Sequence, residues 1–332
     1  MPQVTYALAG PVAVVSLNRP RYRNAMSRTM TYELDGALRR ACTDDAVRVI
    51  VLRAEGAHFC SGHDLGTAEH ARDLASRPYA PGAEGDFEKW SELDVEMCLR
   101  WRNLPKPLLG GAKGFCIYHA CAVLSCCDIV VAAEDMKMMP SLVEYNTLPF
   151  DLHLNVRKAK EIMMMQRFVL AGEALELGLV NHVVAADQLD AELMRMATII
   201  AKADPFHLRM MKQTTNQAQE HAGYTTFARS ALSHWTSYVE KRRGEERSLP
   251  RVFACTTAAY CVVCGVWCAV WYVLLHVQCV LLTHVFLEKR RRRSLPHVCL
   301  LYSVYCVVCS VRCVVCGVVR AVTCTVRAVD AS

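Results

Sequence analysis

Over the first 135 residues, short apolar runs alternate with stretches in which apolar residues recur every three or four positions. Val12 to Leu17 (VAVVSL) is rich in β-branched residues and stops at Asn18-Arg19-Pro20, which predicts a strand followed by a turn. Ser27 can cap the next stretch, where Met30, Leu34, Leu38 and Ala41 fall at helical spacing. Val47 to Leu52 reads as a second strand, leading into Ala57-His58-Phe59-Cys60-Ser61-Gly62-His63-Asp64-Leu65. A longer helix is predicted over Asp86 to Asn103, closed by Pro105 and Pro107, with a strand through Leu108 and Leu109 behind it. Gly114 to Cys127, small and apolar, reads as a buried helix, and Asp128 to Ala132 as another strand. From about Lys158 to Glu240 the pattern is nearly continuous helix, interrupted at Gly178-Leu179-Val180-Asn181, with Asp204-Pro205 as a cap and first-turn proline. Strands separated by helices, then helices alone, predict an α/β architecture with a helical region after it.

Composition divides the chain of 332 residues in two. Residues 1–250 carry 29 of the 38 Lys and Arg and 30 of the 32 Asp and Glu, so this body is nearly neutral. Residues 251–332 hold the other 9 basic and 2 acidic residues, and 11 of the 18 cysteines. A neutral body excludes a domain that binds nucleic acid across a basic surface. Cysteines crowded at one end exclude a small disulfide-built scaffold, and 250 residues can bury a core without staples. Met1-Pro2-Gln3-Val4 has neither the form of a secretion signal nor of an Arg-rich presequence. The expectation is an intracellular protein, cytosolic or organellar, with reduced thiols.

Several ordered segments carry a family resemblance: Asn18-Arg19-Pro20 with Asn24-Ala25-Met26, Phe59 to Leu65, Lys106-Pro107 leading to Gly114, Cys127-Asp128-Ile129, Ala174 to Val180, and Met211-Lys212. Together they resemble the crotonase, or enoyl-CoA hydratase/isomerase, superfamily over roughly residues 4–245. The resemblance implies an α/β spiral of repeated β-β-α turns over 1–185 and a helical region over 186–250 that packs trimers or hexamers. It implies an acyl-CoA thioester as substrate, coenzyme A being part of it, and no other cofactor or metal. The shared chemistry is stabilisation of an enolate oxygen by two backbone N–H groups. By the resemblance these belong to His63, after Ser61-Gly62, and to His119. Asp64 and Leu65 continue the loop along the thioester arm, and Arg21, Arg23 and Ala25 lie where the family meets the CoA nucleotide.

The sequence departs from the family where its glycine run falls on Tyr118-His119-Ala120. Any residue but proline keeps the N–H, while the side chains of Tyr118 and His119 add bulk near the thioester. The two glutamates that position water in hydratases map to Ala122 and to Leu142, neither of which carries a proton. Glu144, Asp151, His153 and His119 itself are the candidate substitutes, against the plainer reading of loop charges and a packed histidine. Met138-Met139 and Met163-Met164-Met165 read as flexible packing at an acyl pocket or, by the plainer reading, in the core.

The tail is repetitive: Cys261-Val262-Val263-Cys264-Gly265-Val266 recurs at 313–318, and Val and Cys make up 32 of its 82 residues. Three readings stand. Residues 252–287 lack Lys, Arg, Asp and Glu and are followed by Lys289-Arg290-Arg291-Arg292-Arg293, as in a membrane span with a cytosolic anchor. The Cys-x-x-Cys pairs have metal or redox spacing but valine flanks. Repetitive GT-rich DNA, translated, also yields Val/Cys text. The functional expectation is an enzyme of the hydratase/isomerase group; the alternatives are an inactive acyl-CoA-binding or subunit-mixing homologue and a membrane-tethered interaction protein.

Overall fold

A computed structural model describes residues 2–140, 147–234 and 236 of the chain. Its strands are β1 (Val4–Ala9), β2 (Val12–Leu17), β3 (Val49–Ala54), β4 (Leu108–Ala112), β5 (Phe115–Ile117), β6 (Ile129–Ala133), β7 (Lys137–Met139), β8 (Val169–Leu170) and β9 (His182–Val184). Its α-helices are α1 (Arg28–Thr43), α2 (Ala68–Ser76), α3 (Ala83–Trp90), α4 (Met97–Arg102), α5 (His119–Ser125), α6 (Leu148–Asp151), α7 (Val156–Met165), α8 (Ala171–Glu176), α9 (Leu189–Ile200) and α10 (Pro205–His221). A further helix runs over 224–234.

Six strands form one sheet in the order β1-β2-β3-β4-β6-β9, parallel except for the β1–β2 hairpin. Side chains alternate across a strand, so β2 and β3 present two apolar faces and both need cover. Ala13, Val15, Leu17, Ile50 and Leu52 pack with Met30, Leu34 and Leu38 of α1. Val12, Val49 and Val51 pack with Leu189, Leu193 and Ala197 of α9. The start of α1 is set by Ser27, whose Oγ accepts from the Met30 N–H at 3.0 Å. Asp204 caps α10 in the same way through the His207 N–H at 2.8 Å, with Pro205 in the first turn.

A second sheet, β5-β7-β8, takes part of the segment expected to be one helix. Gly114 to Cys127 divides into β5 and α5, because Phe115 to Ile117 find ladder partners in Lys137 to Met139 and Tyr118 turns the chain at φ 55°. The stretch beyond Lys158 is likewise not continuous helix: β8 and β9, two and three residues long, interrupt it. Strands that short carry no readable period. The Asp86–Asn103 helix forms, with a π-helical segment, Ser91–Glu96, between α3 and α4. Met164 and Met165 are exposed, a correction to their reading as core, whereas Met138 is buried.

Distant resemblance segments meet in space. Lys212 of α10 pairs with Asp128 at 2.8 Å, and Asp128 also accepts the Leu108 N–H at 2.7 Å. Asn181 exchanges two hydrogen bonds with Val130, which fixes the Gly178 turn on β6. None of the seven cysteines among the described residues is in a disulfide. No helix among the described residues is long and apolar enough to cross a membrane. Residues 252–287, the rest of the tail and Glu144 lie outside the described residues.

Candidate active site

The site is built on two chain segments held side by side. Asn24, buried in the left-handed region at φ 54°, accepts the Arg19 N–H and donates to the carbonyls of Glu55 and His58. Asparagine tolerates that conformation better than most residues, which accounts for its place in the turn. Below it, Arg19 reaches Asp64 at 2.9 Å and the Ala25 carbonyl at 2.5 Å, with both charged side chains almost fully buried. This anchors the 60–65 loop. Met26 pairs with His63 and Cys60 with Cys116 in isolated parallel bridges, and Ile117 N–H donates to Cys60 at 3.1 Å. Gly62, at φ +91°, has room for no more: a Cβ there would lie 3.2 Å from the Ile117 carbonyl oxygen and 3.5 Å from the Tyr118 Cβ.

The side chains of His63 and His119 therefore converge. Their rings stack at 4.3 Å between centroids, 21° from parallel, and Trp90 meets His63 edge-on at 4.8 Å. Both imidazoles approach the same oxygen of Asp94: His63 Nε2 lies 2.9 Å and His119 Nδ1 3.4 Å from Oδ1. Burial pushes Asp94 up to about 6, against the pull of His119 and Lys89. Burial and the neighbouring His63 push His119 down to about 4, against Asp94. At neutral pH the set thus holds a carboxylate and a neutral His119. The His119 side chain is completely buried and its Nε2 has no hydrogen-bond partner among the described residues. A buried polar atom without a partner costs about 1–3 kcal/mol.

Asp94 had no signature in the sequence. It sits in an acidic stretch, Glu92, Asp94 and Glu96, inside a predicted helix, where charges read as ordinary solvated side chains. The π-helical turn carries it to the histidines; such turns recur at functional sites.

The other expected site residues are placed as follows. Ser61 donates its N–H to the Arg23 carbonyl at 3.1 Å. Arg23 is exposed, its guanidinium 5.9 Å from the centre of the Phe115 ring. Asp64 lines the cleft beside His63 and is committed to Arg19 and Thr67. Leu65 is exposed. Asp151 accepts the Ser125 hydroxyl at 2.9 Å, and neither Asp151 nor His153 joins the cluster around Asp94. Beside His63 a narrow cleft of mixed character opens, lined by Met26, Leu74, Tyr79, Trp90 and Leu93 and equally by Arg28, Asp64, His70, Asp73 and Lys89.

Tyr118 occupies φ 55°, ψ −114°, a region that only glycine enters freely. Tyr118→Gly and Tyr118→Ala both remove the ring, but only glycine relieves the backbone. In urea unfolding Tyr118→Gly is expected to be about 1 kcal/mol or more the stabler of the two; equal stability would show that the turn holds no strain.

The chain matches the family model described as enoyl-CoA hydratase/isomerase over residues 8–247. It is 32% identical over 235 residues to the putative enoyl-CoA hydratase EchA13 of Mycobacterium tuberculosis, which covers 65% of this chain and 73% of that one. It is similar to the crystal structure of a probable enoyl-CoA hydratase from Mycobacterium smegmatis, with a TM-score of 0.65 at 34% identity over 71% of this chain and 94% of that one. A probable enoyl-CoA hydratase from Mycobacterium thermoresistibile gives a TM-score of 0.64 at 35% identity over 71% and 95%. On the family model and these relatives, the chain belongs to the enoyl-CoA hydratase/isomerase family.

Proposed function

We propose that this protein binds an acyl-CoA thioester and stabilises the enolate oxygen formed at its carbonyl, with the backbone N–H groups of His63 and His119 as donors. The observation that supports this most is the Cys60–Cys116 bridge, which brings the two donor-bearing segments together as a pair of preorganised donors requires. Arg23, exposed beside the Asn24 turn, suits a CoA phosphate, and Met26, Leu74, Trp90 and Leu93 are the apolar part of the mixed cleft beside His63 that would meet an acyl group.

Hydration by two glutamates is not part of the proposal. Ala122, where the first of them falls, presents a buried methyl group. The reaction class that remains is one in which a proton leaves and rejoins the acyl chain through the enolate. A second reading, an acyl-CoA-binding homologue without turnover, draws on the same Ala122.

The test uses the full chain. Calorimetric titration with butyryl-CoA and crotonyl-CoA is expected to show binding, with assembly as a trimer or hexamer in light scattering. Turnover of a panel of 2-enoyl and 3-enoyl thioesters separates the two readings. Absence of binding to every CoA ester removes both.

A further inference from the structure

We infer that His63, Asp94 and His119 form the proton-transfer set of this site, with His63 the base that meets the substrate and Asp94 and His119 its positioning residues. The inference rests on the acyl-CoA reading above and supplies the groups that Ala122 leaves missing.

Geometry divides the roles. Of the two imidazoles, His63 lines the cleft, while His119 is fully enclosed behind it. Asp94 Oδ1 lies 2.9 Å from His63 Nε2, an ion-pair separation at which its carboxylate charge can stabilise an imidazolium formed there. His119 stacks on the His63 ring and faces the same carboxylate oxygen. Being held neutral, it orients that ring without competing for the Asp94 charge. An enclosed nitrogen with no hydrogen-bond partner among the described residues is a cost that packing alone does not explain. His63 and His119 are also the residues whose N–H groups face the oxyanion in the proposed function, so base and donors lie within one cluster.

The same three residues place three ligand atoms within 4.8 Å of one another, close enough for a metal ion. Ring orientation argues for protons instead. An imidazole binds a metal in its own plane at about 2.0–2.1 Å. Two rings stacked 4.3 Å apart and 21° from parallel have planes that meet only far from either nitrogen.

The step balances as a proton exchange. A Cα–H bond of the acyl group breaks, its electron pair forms the C=C of the enolate, and charge moves to the thioester oxygen. The proton goes to the His63 imidazole, whose positive charge Asp94 neutralises. Return of a proton to Cα regenerates the thioester; in D2O it returns as deuterium.

Among the described residues the groups facing Asp94 are His63 from the 60–65 loop, His119 from α5, Lys89 from α3 and Cys98 from α4. Burial outweighs the attraction of His119 and Lys89 and pushes Asp94 up to about 6. Above that pH the carboxylate supports the imidazolium; below it the support is lost, and exchange is expected to fall as pH drops through about 6.

The experiment incubates butyryl-CoA with the full chain in D2O and follows deuterium entering Cα by mass spectrometry, with binding measured in parallel. Wild type is expected to exchange. His63→Gln, which keeps its backbone N–H, is expected to lose roughly 100-fold or more in exchange rate while still binding butyryl-CoA. Asp94→Asn is expected to slow exchange and to remove the fall near pH 6. Binding with no exchange in wild type overturns the inference, as does exchange that survives both substitutions. A wild-type profile flat across about pH 5 to 8 overturns it without any variant. Exchange abolished by a chelator overturns it in favour of a metal site. Failure to bind butyryl-CoA or any other CoA ester is a different result, and removes the acyl-CoA reading itself.

Discussion

Replacing Arg19 by alanine is expected to destabilise the protein by about 3–5 kcal/mol, because it leaves the Asp64 carboxylate buried without its counter-charge. The two side chains are 4% and 1% exposed, so solvent cannot replace the lost partner. Burial alone would raise the Asp64 pKa; the Thr67 hydroxyl and N–H and the Arg19 guanidinium outweigh it and hold the group below its ordinary 3.8. A carboxylate held low contributes stability above pH 3.8 and loses it as pH falls through the lower folded value. Arg19→Ala is therefore expected to lose most stability near neutrality and to approach wild type in strong acid. Urea unfolding over a pH series measures this. A loss below about 1 kcal/mol at pH 7 would place the pair among weak surface bridges instead. The same guanidinium binds the Ala25 carbonyl and Glu69, so the 60–65 loop and His63 are expected to loosen together.

Trp101→Ala is the second large effect. Trp101 is 1% exposed in the main core and donates its indole N–H to Asp35 at 3.0 Å. Truncating a buried aromatic of this size costs about 3–5 kcal/mol through lost transfer energy and an unfilled cavity. Asp35 would keep Arg100 at 2.9 Å, which is half exposed, and so would lose its enclosed donor. Trp101→Phe keeps most of the volume and is expected to lose about 1–2 kcal/mol, chiefly the hydrogen bond. Trp101 lies in α4, which continues directly from the π-helical turn carrying Asp94. The alanine variant is thus expected to slow deuterium exchange into butyryl-CoA as well as to unfold earlier. Unchanged exchange would mean that Asp94 is held by the turn alone.

What the chain conveys locally is clear in particular residues. Val12 to Leu17 is a strand because β-branched residues favour the pleat and both its faces find apolar cover. Ser27 and Asp204 begin helices because their oxygens reach the orphan N–H groups two or three residues on. The turn at Gly178 and the strands at β3, β4 and β6 were readable on the same grounds. The ordered motifs carried the family, and the losses at Ala122 and in the glycine run at Tyr118-His119-Ala120 were visible as departures from it.

Elsewhere local pattern was outvoted. Phe115 to Ile117 looks helical by composition and is a strand because Lys137 to Met139 lie alongside it. Asp64 reads as a residue along a substrate arm and is a structural anchor because Arg19, 45 residues earlier, is folded beneath it. His63, Asp94 and His119 are spaced with no period that a helix or strand would explain. They meet through a parallel bridge between the 60–65 loop and β5 and through a widened helical turn, neither of which has a local signal. By itself the sequence determined the alternation of strands and helices, the helix caps and the family, all of which depend on neighbours a few residues apart. Tertiary structure alone decided that two histidines share one carboxylate, because the position of Asp94 depends on contacts spanning roughly sixty residues of chain and on the exclusion of water around them.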